Sequence, residues 1–346
     1  MRLDYTPQLD FKDVLIRPKR TTITSRSQVD LEREFSFPNT KTKWKGVPII
    51  AANMDTTGTF EVYDVLSKHK MITCFNKFYS LNDYKARFDK YGPLNPDYFM
   101  ISTGINESGM CDLHEIVQET HAKWICVDVA NGYMEQVTTY CQKLRVCFPD
   151  MIIVAGNIAT REMAEQLIIN GKVDVVKVGI GPGSACLTRR KTGVGVPQLS
   201  AIIDCADGAH GCGGSIIGDG GITCPGDMAK AFGGGADFVM VGGQFAGHDE
   251  NPGDVVIENG KTFKLFYGMS SEHAMKKHYG KMAKYRSSEG RTMKIPYRGE
   301  LDDTVCDFLG GLRSTCAYIN AHSIKNMPKC TTFIMVGQQL NTHFEK

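Results

Sequence analysis

Short, continuous apolar runs rich in β-branched residues recur along the chain, each closing on or near Gly, Asn or Asp. They are VPIIAAN at 47–53, MITCF at 71–75, YFMIST at 98–103, WICVDV at 124–129, MIIVAG at 151–156, VDVVKVG at 173–179, SIIGDG at 215–220 and ADFVMVG at 236–242. The stretches between them carry helical patterning. Runs that are continuous rather than alternating predict strands covered on both faces, as in a parallel sheet with helical crossovers. Their spacing of roughly 22 to 40 residues suits one right-handed βαβ unit each time. Eight units are the count of a (β/α)8 TIM barrel, although a doubly wound open sheet would give a similar rhythm. The glycines favour the barrel. An open dinucleotide-binding sheet wants Gly-x-Gly-x-x-Gly after an early strand, and neither that motif nor Gly-x-x-x-x-Gly-Lys-Ser/Thr occurs. The expected organisation is one α/β domain over 1–346. Residues 1–46 form an N-terminal extension, and 244–346 hold the last helix, flap loops and a C-terminal extension.

Composition narrows the function. Lys and Arg number 40 against 38 Asp and Glu, a formal charge of +2, so no global field exists to hold nucleic acid or an acidic membrane. With 42% hydrophobic and 23% charged residues, a packed globular core is expected. The N-terminus MRLDYTPQLDFKD has no apolar core of a signal peptide, and 18 consecutive apolar residues occur nowhere. A cytosolic location follows as an expectation. Twelve cysteines without a Cys-x-x-Cys pair fit a reducing compartment, where most would serve as small buried hydrophobes.

In such barrels the chemistry lies at the C-terminal ends of the strands, and the loops after strands 7 and 8 often bind phosphate through backbone N–H groups. Gly218-Asp219-Gly220-Gly221 and Gly242-Gly243 fall at those two places. Asp219 repels phosphate, and a carboxylate among such glycines suits the hydroxyls of a sugar. After strand 6 comes a glycine-rich loop, 179–190, in which Cys186 precedes Arg189 and Arg190. Cationic neighbours and loop N–H groups are the setting of a nucleophilic thiol. His273 and His278, five apart, share a helix face poorly and read as structural or solvated rather than as metal ligands. FYGMSS at 266–271 and YRSSEG at 285–290 are glycine-bounded loops outside the barrel count, of the kind that form lids or stay disordered.

Read in order, the loops resemble the inosine-monophosphate dehydrogenase and guanosine-monophosphate reductase family. The stretches that carry the resemblance include FKDVLIRPKR at 11–20, AANMDT at 51–56, DVANGY at 128–133, GPGSACLTR at 181–189, KTGVGVPQLSA at 191–201, DGGITCPGD at 219–227, KAFGGGADFVM at 230–240, FYGMSSE at 266–272 and LGGLRSTC at 309–316. Dehydrogenases of the family usually carry a regulatory domain inserted in the barrel, and no insertion of that size interrupts the units here. FYGMSS, YRSSEGRT and AANMDTTGT look like the reductase versions.

The resemblance implies NADPH-dependent reductive deamination of GMP to IMP and ammonia through a covalent cysteine thioimidate. By it, Cys186 is the nucleophile, Thr188 and Glu289 form a proton relay, and Lys77 sits near the cofactor. The GMP phosphate falls to Ser184, Gly220, Gly221, Gly242 and Gly243, its ribose to Asp219, and its purine to Gly268, Met269, Ser270, Arg286 and Gly290. NADPH falls to Ser25, Arg26, Lys77, Asp128, Val129, Ala130, Ile180, Gly181, Met269, Ser270, Arg286, Ser314, Thr315, Cys316 and Ala317, some supplied by a neighbouring subunit of a homotetramer. Arg26 could pair with the 2′-phosphate that distinguishes NADPH from NADH. A potassium site (K+) would draw on Gly181, Gly183 and Cys186, with Arg189 adjoining. Several positions depart from the family. Asn76 and Phe78 replace the histidines usual on either side of the lysine, Val196 stands where a tyrosine is common, and Leu187 and Gly218 lack hydroxyls that could meet substrate. Rival readings are a dehydrogenase without its regulatory domain, a flavin-dependent barrel and a non-catalytic purine-nucleotide-binding barrel.

Overall fold

The computed structural model describes residues 1, 3–106, 109–281 and 287–337. Each of the eight apolar runs gives one barrel strand, β1 (Ile49–Ala51), β2 (Ile72–Cys74), β3 (Phe99–Thr103), β4 (Trp124–Asp128), β5 (Ile152–Ile158), β6 (Val175–Val178), β7 (Ser215–Asp219) and β8 (Phe238–Val241), and only β5 extends past its run, by two residues. All neighbours pair in parallel, and β8 pairs with β1 to close the barrel. The strands are buried on both faces because each residue meets either the barrel interior or the surrounding helices. Ile50, Ile72, Cys74, Met100, Cys126, Val154, Val175, Ile217 and Met240 pack inside. Their sequence neighbours, such as Ile49, Ile101, Ile153, Val176 and Val239, pack outward against helices. Side chains two apart share a face of a strand, so the inward rows run on to Asp128 from Cys126, to Lys177 from Val175 and to Asp219 from Ile217. The apolar interior therefore ends, at the C-terminal rim, in charge.

Among the described residues one helix packs outside the barrel between each strand and the next, namely α1 (Phe60–Leu66), α2 (Leu81–Tyr91), α3 (Gly109–Thr120), α4 (Glu135–Cys147), α5 (Arg161–Ile169), α6 (Gln198–Gly211) and α7 (Pro225–Gly233), and a further short helix, Thr188–Thr192, lies in the loop after β6. The eighth, α8 (Leu301–Ile319), packs between α7 and α1 and completes the ring. Local chemistry sets the helix starts. Thr59 accepts from the Val62 N–H, Ser80 and Asp83 form a capping box, and Pro225 takes the first turn of α7.

The N-terminal extension closes the opposite, N-terminal end of the barrel. The hairpin Arg33–Ser36 with Lys43–Gly46 inserts Phe35 and Trp44 against Trp124 and Phe238, the first residues of β4 and β8. Trp44 Nε1 donates to the Asp97 carbonyl at 2.7 Å, which satisfies the indole where it is buried. Between β8 and α8 the chain builds a small sheet, Val255–Glu258, Lys261–Tyr267 and Thr292–Pro296, with a helix at Glu272–Tyr279. That region was expected as flap loops, and the structure shows ordered strands in it. All twelve cysteines are free, but only five are buried, so the expectation that most are core residues is corrected. Where burial does occur it matters: it pushes the Cys141 and Cys316 thiols up to about 12.

Candidate active site

Loops from all eight strand ends line one cavity of ≈ 1020 Å³. Pockets for drug-sized ligands run to about 300–1,000 Å³, so a nucleotide fits here with a second molecule beside it. The loops after β6, β7 and β8 meet on one side. Gly220, at φ +88°, lies so close to the β6 loop that a Cβ would stand 3.1 Å from Pro182 and 3.3 Å from the Gly183 nitrogen. A Cβ on Gly243 would stand 3.1 Å from the Ser184 hydroxyl. The positive φ of Gly220 favours glycine, and a Cβ at either position would press on the β6 loop. The backbone N–H groups of Ser184, Gly221, Gly242 and Gly243 donate no hydrogen bond among the described residues. Four unengaged donors at the meeting point of three loops form an anion cradle.

Across the cavity the β6 loop is joined to the strand end at 289–291. The Leu187 N–H donates to the Glu289 carbonyl at 2.6 Å, and the Arg291 N–H to the Ala185 carbonyl at 2.9 Å. This pairing sets Cys186 opposite Gly290. It also aligns three side chains: the Cys186 Sγ donates to Thr188 Oγ1 at 3.3 Å, and Thr188 Oγ1 donates to Glu289 Oε2 at 2.7 Å. Sulfur, hydroxyl and carboxylate make an unbroken path for a proton. The cationic neighbours expected to serve the thiol turn elsewhere. Arg189 donates to the Ile180 and Val196 carbonyls and to Asp10, which ties the base of the loop, while Arg190 is exposed.

Beneath the cavity lie the charges at the ends of the inward rows. Lys177 is 3% exposed, and its Nζ donates to Asp128 Oδ1 at 2.9 Å and Asp219 Oδ2 at 3.2 Å. Asn157 Nδ2 also donates to Asp219 Oδ2 at 2.8 Å, leaving Asp219 Oδ1 without a partner among the described residues. Burial works against both charges of the Lys177–Asp128 pair, but their mutual attraction prevails, with Lys77 adding to it. Lys177 is held well above its ordinary value and Asp128 below its own. Removing Lys177 would leave Asp128 and Asp219 without their shared cation, a loss of about 3–5 kcal/mol.

Most of the expected site residues gather at this cavity. Lys77, Asp128, Val129, Ala130, Ile180, Gly181, Gly183, Ser184, Cys186, Thr188, Asp219, Gly220, Gly221, Gly242, Gly243, Gly268, Met269, Ser270, Glu289 and Gly290 all line it. Ser25, Arg26, Ser314, Thr315, Cys316 and Ala317 do not. They form a separate patch, where the turn Arg26–Gln28 packs on α8. In that patch the Cys316 side chain is wholly buried, and the exposed Arg26 guanidinium has no partner among the described residues. Arg286 lies outside the described residues.

The departures take defined places. Asn76 is buried and orders its turn by donating to the Gly58 carbonyl and accepting from the Phe78 N–H. Phe78 stacks on His278, with ring centroids 3.4 Å apart. At Gly218 a Cβ would point to Ile202, 2.9 Å away, and so away from the cavity. The expectation that a hydroxyl for substrate is missing there is therefore corrected.

A family model described as IMP dehydrogenase / GMP reductase domain matches residues 8–342. GMP reductase 1 of Mus musculus is 54% identical over 344 residues, covering 99% of each chain. The GMP reductase of Serratia proteamaculans (strain 568) is 54% identical over 345 residues, again covering 99% of each. That of Caenorhabditis elegans is 52% identical over 341 residues, covering 98% of this chain and 95% of that one. The chain belongs to the IMP dehydrogenase/GMP reductase family. It is an oxidoreductase of that family, and no helix among the described residues is long and apolar enough to cross a membrane.

For this family member the residues that sequence reasoning passed over are mainly those beneath and around the ligand space. Lys177 had a signal, one charge inside the apolar run VDVVKVG. Asn157 and Arg298, which line the cavity from β5 and from the segment after the small sheet, carried none. Asp55 carried none either. Its buried Oδ2 accepts from Tyr267 Oη at 2.9 Å, Lys277 Nζ at 2.9 Å and His278 Nε2 at 2.6 Å, which docks the helix Glu272–Tyr279 on the loop after β1.

Proposed function

We propose that the enzyme catalyses the NADPH-dependent reductive deamination of GMP to IMP and ammonia, in purine nucleotide interconversion. The observation that carries this reading is the Cys186–Thr188–Glu289 path inside a cavity that also holds an anion cradle and a free carboxylate oxygen. A dehydrogenation alone has no amine to expel, whereas deamination needs a proton delivered to the leaving nitrogen. The GMP phosphate lies on Ser184, Gly220, Gly221, Gly242 and Gly243, the ribose hydroxyls donate to Asp219, and the purine lies along Gly268–Ser270 and Gly290. Cys186 attacks C2 of the purine, Thr188 and Glu289 protonate the departing amine, and the bond between sulfur and C2 persists as a thioimidate. Thiolate is then a good leaving group when C2 gains hydrogen and IMP departs.

The residues present suit NADPH. Asp128, Val129, Ala130, Ile180 and Gly181 form a wall beside the purine space, and Lys77 adds a cation there. The group supplies hydride at C2 when bound. Ser25, Arg26 and Ser314–Ala317 lie off this cavity, so their contact with NADPH falls to a neighbouring subunit, in keeping with a homotetramer. For potassium the fit is also fair. The Gly181 and Cys186 carbonyls accept no hydrogen bond among the described residues, and the Gly183 carbonyl accepts only from the Cys186 N–H. These oxygens would hold a hard cation and stiffen the loop that carries the thiol. Twelve unpaired thiols suit the cytosol.

Cys186→Ala tests the covalent step. Turnover of GMP is expected to vanish while GMP binding stays within a few-fold, since phosphate and ribose contacts supply the affinity. Turnover near the wild-type rate would refute covalent catalysis.

A further inference from the structure

We propose that Lys177 is a positioning residue that makes the nucleotide and the dinucleotide bind cooperatively, by joining Asp219 under the one to Asp128 under the other. The inference rests on the reading above of which ligand meets which carboxylate. One ammonium serves both acids, at 2.9 Å and 3.2 Å, from a side chain only 3% exposed. At 3% exposure the ammonium has little surface to offer a replacement partner, so what one carboxylate gives up the other gains. Asp219 is further fixed by Asn157, which also donates to the Gly179 carbonyl at 2.8 Å in the thiol loop. Its Oδ1 is the one oxygen left to accept from a ligand.

When ribose hydroxyls donate to Oδ1, part of the Asp219 charge is drawn to them and its hold on Lys177 weakens. The ammonium then moves its share of attraction to Asp128, neutralising and orienting a carboxylate that otherwise repels an anionic dinucleotide. Lys177 reaches Asp128 from β6 across the width of β5, so the link passes through the barrel interior rather than along the loops. Coupling of this kind is reciprocal: each ligand must tighten the other by the same factor.

IMP and NADPH provide the test, because IMP has no amine to lose and NADPH is already reduced, so both can be titrated without reaction. In the wild-type enzyme saturating IMP is expected to tighten NADPH by about fivefold or more, and NADPH to tighten IMP equally. In Lys177→Met the factor is expected to fall to near one. Asp128→Asn, which leaves Lys177 in a neutral pair with Asp219, is expected to do the same and keeps the test open should Lys177→Met fail to fold. The factor is a ratio, so weaker NADPH binding does not hide it. Coupling that survives in either folded variant, or is absent from a wild-type enzyme that binds both ligands, overturns the proposal. A wild-type enzyme that binds neither ligand instead overturns the assignment of the site, and the proposal with it.

Discussion

Glu289 can be separated from Cys186 by the order of the chemical steps. Ammonia leaves only when protonated, and the 2.7 Å bond from Thr188 to Glu289 is the one acidic end of the path. Glu289→Gln keeps the size but cannot carry the proton. It should lower GMP deamination by a factor of about 10² to 10⁴ in a single turnover. Hydride transfer from IMP to NADP+, which expels no amine, should fall far less, whereas equal losses would reduce Glu289 to a structural part of the 289–291 pairing. At this scale the sequence was legible where a residue type at a strand-end loop is enough to place it at the cavity, as for Cys186 and the paired glycines, which line it. It was not legible where a side chain acts by what the fold sets beside it. Arg189 looked like a partner of the thiol but is spent on three contacts that hold the loop base. Lys177 looked like an interruption in a strand, and only the barrel brings β4 and β7 to it.

Between residue and fold, the helix Glu272–Tyr279 is the element whose role depends most on a single group. Three donors converge on Asp55, and His278 stacks on Phe78 at the cavity edge, so this helix holds Met275 and Tyr279 in the cavity wall. Burial raises the Asp55 carboxyl, but Lys277 and His278 outweigh it and hold it below its ordinary value of 3.8. A depressed carboxyl stabilises docking fully at pH above 3.8 and loses that contribution only as pH falls through the lower folded value. Asp55→Asn should therefore weaken docking already at neutral pH, by about 1–3 kcal/mol, and flatten its acid dependence. Hydrogen exchange across 272–279 reads both effects, and unchanged protection in the variant would contradict this role. The small sheet beside this helix was missed although its turn was visible. Asn259 and Gly260 both have positive φ, at 51° and 73°, as the Asn-Gly pair of a tight hairpin requires. The strands it joins are exposed or half-exposed over most of their length, so their apolar pattern is weak.

Across the molecule, the two ends of the barrel divide stability from chemistry. Aromatic packing of the N-terminal hairpin seals one end, while charges on the inward rows open the other to ligands. That division explains why the barrel was readable and its floor was not. Eight continuous runs follow from strands buried on both faces, whereas Trp44 joins the interior only through a hairpin that no periodicity announces. Reductase and dehydrogenase chemistry share this architecture, and they differ in which way hydride moves. Mixing the intact enzyme with GMP and NADPH, and separately with IMP and NAD+, distinguishes them while following cofactor oxidation and ammonia. NADPH should be consumed only when GMP is present, with one IMP and one ammonia formed for each NADPH. Reduction of NAD+ by IMP, with no NADPH consumed on adding GMP, would contradict the account.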